Sequence, residues 1–176
     1  MRRPHSNCEH RSQLGFTLVE LVVVIILLGI LAAVALPRFV SIDRSARIAA
    51  LEGVAGALKT TASLVQAKAR LSGLNKAPAN PGNQAAYLVD FELGTTEVDW
   101  RNLCPESSAE LGDALDMIDH MHAQLSGEMQ IQTNNQYTLI GFDIPGFSVP
   151  TNQGCYVIYD SFGDPECTVT TVTVDC

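Results

Sequence analysis

The chain has 176 residues, enough for one domain of ordinary size, and 47% of them are hydrophobic against 17% charged. A formal net charge of −8 argues against nucleic acid as the main partner, because phosphate binding needs lysine and arginine. No GxSxG, Walker loop or HExxH is present, so the chain is read as a non-enzyme without a cofactor.

Residues 1–15, "MRRPHSNCEHRSQLG", are short, polar and net basic. Basic residues ahead of an apolar stretch hold that end in the cytoplasm, so the remainder crosses to the other side. From Leu21 to Pro37 there are 17 consecutive uncharged residues. The small residue Gly15 precedes this stretch, whereas a secretory signal carries its small-residue cleavage site after the apolar core. A cut at Gly15 would leave the apolar segment, residues 16–40, on the mature chain. Glu20 stands at its edge. A carboxylate costs roughly 2.5–3.5 kcal/mol at mid-membrane, less near the end of a span. The first turn of a helix eases that cost through its dipole, but a charge in such a place asks for a partner. Gly29 weakens the helix, and Pro37 removes one of its hydrogen bonds, so together they mark a place to bend.

The helical period continues past Pro37 through Ile42, Ala46, Val54, Leu58, Val65 and Leu71, with charged residues mostly on other faces. Residues 41–73 are therefore expected to form the amphipathic half of one long helix, which stops at Ser72-Gly73. Residues 74–126 are a connecting region. Within it 85–94 is a short strand or irregular, and Ser107 with Glu110 reads as a capping box opening a second helix from 108 to about 125. Asp113, Asp116 and Asp119, with His120 and His122, read as a solvated acidic face and not as a metal site. From 127 to 176 the period changes to two. "MQIQT" and "QYTLIGF" form a hairpin with Asn134-Asn135 at the turn, and "CYVIY" (155–159) and "CTVTTVTV" (167–174) are two further strands. Asp160, Asp164 and Glu166 lie in the loop between them, without the spacing of a calcium loop. The expectation is an α+β chain in which the long helix packs on an antiparallel sheet of about four strands.

Of five cysteines, Cys8 lies in the basic head, and Cys104, Cys155, Cys167 and Cys176 lie beyond the apolar segment. An even number there, with no CxxC, points to disulfides in an oxidising compartment. Strand pairing centred on 162–163 would set Cys155 opposite about residue 170, which leaves all three connectivities open.

The segment "GFTLVELVVVIILLGILAAVALPRF" resembles the N-terminus of class III signal-peptide proteins, the type IV pilins and their relatives. Gly15 before Phe16, Thr17 and Leu18, then Glu20, Gly29 and Pro37, carry the match. The resemblance implies a leader, 1–15, removed by a prepilin peptidase between Gly15 and Phe16, and N-methylation of the new Phe16 amine. It implies that Glu20 pairs with the Phe16 amine of a neighbouring subunit, and that the Gly29–Pro37 segment loosens on assembly. Its partners would be copies of itself in a helical filament, the assembly machinery, and the inner membrane before assembly. It also implies the pilin fold, with a disulfide-pinned C-terminal region. The sequence from Leu36 to Ala69 and the "CYVIY…VTVDC" ending further resemble the mannose-sensitive haemagglutinin (MSHA) pilins, implying a type IVa filament for attachment on a Gram-negative cell surface.

The alternatives are a type II secretion pseudopilin or a minor pilin. From another class there is a monomeric bitopic membrane protein with a periplasmic ligand-binding domain, which would need neither Glu20 nor the Gly15 site.

Overall fold

The computed structural model describes residues 16–121, 127–147 and 153–176, and for residues 36–41 the backbone alone. It divides into a unit ending at Ile42 and a unit Asp43–Cys176. Helix α1, Leu18–Leu71, begins in the first and ends in the second.

In the first unit, Leu18–Ala35 has a mean hydropathy of 3.1 and none of it is buried. Its valines and isoleucines favour strands in other settings. An unbroken apolar run of this length has no alternation to give a sheet two faces, and a helix satisfies its own backbone wherever water is absent. Every described side chain from Phe16 to Val34 is exposed, so apolar surface points outward on all sides. The backbone stays helical through Gly29 and Pro37.

In the second unit α1 is amphipathic. Leu51, Val54, Ala55, Leu58, Ala62, Val65 and Ala69 recur at three- and four-residue spacing and are buried. The end of the helix is a Schellman motif. Gly73 sits at φ 85° and donates to Arg70 O at 3.0 Å, while Leu74 N–H reaches back to Ala69 O at 3.0 Å. The Leu74 side chain then packs on the cluster that contains Ala69, Val65, Tyr87, Val89, Val98 and Leu103.

Strands β1 (Leu88–Phe91) and β2 (Gly94–Glu97) form an antiparallel pair. β3 (Gln130–Thr133), β4 (Tyr137–Asp143), β5 (Cys155–Asp160) and β6 (Thr168–Val172) form an antiparallel sheet in that order. β5 is buried on both faces, and the period of two sorts its residues. Cys155, Val157 and Tyr159 pack with Leu51, Leu58, Met117, Met121 and Ile140. Tyr156 and Ile158 pack with Leu139, Ile144 and Val172 on the other face. Gly141 lies so close to Cys155 O and Tyr156 that a side chain there would collide with both.

The long helix, the four strands and the fold class agree with the expectations, and three details do not. Residues 108–121 form no helix, and 122–126 lie outside the described residues. Ser107 does not cap one. Its hydroxyl donates to Gln136 O at 2.8 Å, while the Glu97 carboxylate accepts the N–H groups of Glu110 and Leu111 at 2.7 and 3.0 Å. The β3–β4 turn sits one residue later than expected, at Asn135-Gln136, because Asn134 N–H pairs with Tyr137 O at 2.9 Å. The β5–β6 register, Tyr156↔Val172 to Asp160↔Thr168, is centred on residue 164, not 162–163.

Tyr159 hydroxyl donates to Pro105 O at 2.6 Å inside the core. Burial raises its pKa well above the usual phenol range, so the donor is retained. Tyr159→Phe is expected to cost about 1–2 kcal/mol by leaving that carbonyl unpaired, read as a lower denaturant midpoint with an unchanged slope.

Candidate functional site

The helix N-terminus is built by Thr17 and Glu20. Thr17 N–H and hydroxyl both donate to Glu20 Oε2, at 2.9 and 2.8 Å, and Glu20 N–H donates back to Thr17 Oγ1 at 3.2 Å. This is a reciprocal capping box, with Thr17 before the first helical residue and Glu20 in the first turn. It anchors one carboxylate oxygen. Phe16 stands just outside, 78% exposed. Gly15 lies outside the described residues, and so does the side chain of Pro37. Thr17 was singled out as part of the family motif but not as the partner of Glu20, although the T-x-x-E spacing is a legible capping signal.

In the second unit the four cysteines pair as Cys104–Cys167 and Cys155–Cys176, with Cα–Cα distances of 5.8 and 4.8 Å. The first links the turn after β2 to the start of β6. The second links the start of β5 to the chain end, where Gly154 N–H also donates to Asp175 at 2.6 Å. Asn102 organises the first junction. Its amide donates to Ser161 O and Gly163 O at 2.7 and 2.8 Å, and its Oδ1 accepts Cys104 N–H at 2.8 Å. From α1, Gln66 donates to Asn102 O at 3.0 Å.

Of the acidic residues noted in the sequence, Asp116, Asp119 and Asp160 are taken up by turns and Glu166 by an ion pair. Asp116 Oδ1 accepts the N–H of Ile118 and Asp119, and Asp119 accepts the N–H of Asp116. His120 Nε2 lies 2.9 Å from Thr96 Oγ1, and burial lowers its pKa, with Asp119 and Asp116 opposing. His122 lies outside the described residues. Asp160 accepts from Phe162 N–H and the Gln136 amide, and Glu166 pairs with Arg70 at 3.7 Å. Among the described residues no three ligating side chains converge as a metal would require.

Glu97, Asp99 and Glu106, which pattern reading did not single out, are 1%, 1% and 3% exposed. Their signal is weak, because acids in a loop ordinarily face water.

A helix that opens on a capped carboxylate and runs bare and apolar for a membrane's width, a four-stranded antiparallel sheet and a C-terminal region pinned by two disulfides define an α+β chain with the type IV pilin fold. Comparison with known proteins supports that class. Residues 10–36 match the prokaryotic N-terminal methylation motif. The type IV narrow pilus major component PilA5 of Thermus thermophilus is 39% identical over 56 residues, which are 32% of this chain and 48% of that protein. The chain thus spans about half the length of the curated relative it matches. No solved structure matches it significantly. Motif and relative together make the chain similar to the type IV pilins.

Proposed function

We propose that the chain is the structural subunit of a type IVa pilus, of the MSHA-like kind, which polymerises into a surface filament for attachment. It is made as a precursor and enters the inner membrane with residues 1–15 in the cytoplasm. Prepilin peptidase cuts between Gly15 and Phe16, and the Phe16 amine is methylated. The subunit then leaves the membrane for an extracellular filament on a Gram-negative cell. The role is structural and not catalytic.

One observation carries the reading. A helix exposed and apolar on every side over Leu18–Ala35 begins with an acid that is held in place by Thr17. Such a surface needs lipid first and copies of itself afterwards. Glu20 is the one ionisable group on it, and processing creates a cation four residues away in sequence, on the Phe16 amine. In a helical stack Glu20 of one subunit meets the Phe16 amine of its neighbour. Loosening of α1 between Gly29 and Pro37 would let the helices adjust as they pack.

The test is intact mass spectrometry on filaments sheared from producing cells. The expected mass is that of residues 16–176 plus one methyl group and minus four hydrogens, as the dominant species. Processed protein confined to the inner membrane would indicate a type II secretion pseudopilin. Exported protein still carrying residues 1–15 would overturn the proposal.

A further inference from the structure

We infer that Glu106 is a proton-held fastener: as a neutral acid it secures the segment 106–121 to β2, and its ionisation in alkali loosens that segment. The inference does not depend on the pilus reading.

Glu97 closes β2 and Asp99 follows two residues later. The chain returns through the antiparallel bridge Val98↔Pro105, so that Glu106 N–H donates to Glu97 O at 3.0 Å. Three carboxyl groups are thus brought together in the interior. Glu110 also faces Glu106, from its own segment, and the Tyr159 phenol faces it from β5. The facing cation is Arg101, which is committed to Asp99 through Nη1 at 2.5 Å and stacked between Trp100 and Phe162, 4.4 and 4.2 Å from the ring centroids. One Glu97 oxygen caps Glu110 and Leu111. The other, together with Glu106 Oε2, is buried without a hydrogen-bond partner among the described residues.

Several negative charges against one cation, away from water, is an arrangement that buried acids avoid by keeping a proton. Glu106 is the acid that keeps it. Burial first, then the charges of Asp99 and Glu97, push its pKa up to about 9. The neutral carboxyl donates to the Asp99 carboxylate. Ionised, it would add a negative charge beside both neighbours and lose that hydrogen bond.

Besides the core packing of Met117 and Met121 and the cap that Glu97 gives Glu110 and Leu111, the segment is held by backbone hydrogen bonds. Met117 N–H donates to Glu106 O at 2.9 Å, Leu115 N–H to Thr95 O at 2.8 Å, and Glu97 N–H to Leu115 O at 3.2 Å. His120 meets Thr96, and because its pKa is lowered it stays neutral throughout the alkaline range.

The sign follows from linkage. The closed form binds the proton more tightly than the loosened form, where Glu106 returns to its ordinary value of 4.5. Between that value and about 9, each pH unit shifts the balance towards the loosened form by up to about tenfold. Above that window the effect is complete.

The experiment is hydrogen exchange with mass spectrometry on the full chain in detergent micelles, corrected for intrinsic rates, from about pH 6 to about pH 9. Protection of peptides covering Leu111–Met117 is expected to fall by at least about tenfold more in the parent than in Glu106→Gln, which keeps the shape and a donor but cannot ionise. Equal loss in both would overturn the inference. If Glu106→Gln fails to fold, infrared spectroscopy of the parent decides. A carbonyl band of a protonated carboxylic acid at neutral pH, lost in alkali, supports the inference, and its absence at neutral pH overturns it.

Discussion

Glu20→Ala is expected to be inserted and cut after Gly15 like the parent chain, yet to yield at least about tenfold fewer surface filaments, because a charge buried without its partner is disfavoured by about 3–5 kcal/mol. The deficit arises on both sides of the proposed pair. The incoming subunit loses the group that sets its stagger, and the Phe16 amine of its neighbour is left uncompensated among apolar helices. Local helix stability is a smaller matter. Losing the capping box that Thr17 and Glu20 share costs about 1 kcal/mol at the helix start. Glu20→Gln separates the two effects, since its amide oxygen can still accept from Thr17 but carries no charge. Filament yield by shearing and immunoblot, beside a processing assay, is the measurement. If Glu20→Gln assembles poorly while processing normally, charge is the determinant. Parental filament yield from Glu20→Ala would sink the proposed pairing.

The second large effect is expected from Cys104→Ser with Cys167→Ser. This bond spans 63 residues, and on the chain-entropy model its loss costs about 4 kcal/mol. The bond between Cys155 and Cys176 spans 21 and is worth about 3 kcal/mol on the same model. Local structure widens the difference. Around Cys104 lie Asn102 and Gln66, both buried, and the Gln66 amide also reaches Cys104 Sγ at 3.4 Å. Around Cys176 the chain end is half-exposed. The first variant should therefore loosen the 99–105 turn and the β5–β6 loop together, whereas the second should free only the last residues. Denaturant titration of the two double variants checks the order. A larger loss from the Cys155–Cys176 pair would show that the Asn102 junction stands without its disulfide.

The elements that were legible in advance are those whose information is local. The apolar run states its own helix, because nothing in it alternates. The stop at Ser72-Gly73 was readable because glycine alone accepts φ 85° without strain. The last strands were readable from their alternation, and β5 in addition carries apolar residues on both faces. The second helix was misread for a definite reason. The N–H groups of Leu115 and Met117 are taken by Thr95 O and Glu106 O, so a helix over this stretch has outside competitors for its own donors. Gly112 weakens it further. β2 was missed because "GTTE" is short, and its buried Thr96 and Glu97 are polar.

Residue order alone carried the apolar helix with its acid at the edge and the number of cysteines available to pin the C-terminal region, and the proposed cut at Gly15–Phe16 is read from the same short stretch. These rest on residue type and spacing along a short stretch of chain, which folding does not rearrange. Which cysteines pair depended on tertiary contacts, because a register centred one and a half residues away moves every facing position by three. The tertiary structure also decided that Glu97, Asp99 and Glu106 meet in the interior. Burial and the approach of like charges depend on segments that are remote in sequence, and no local pattern encodes them.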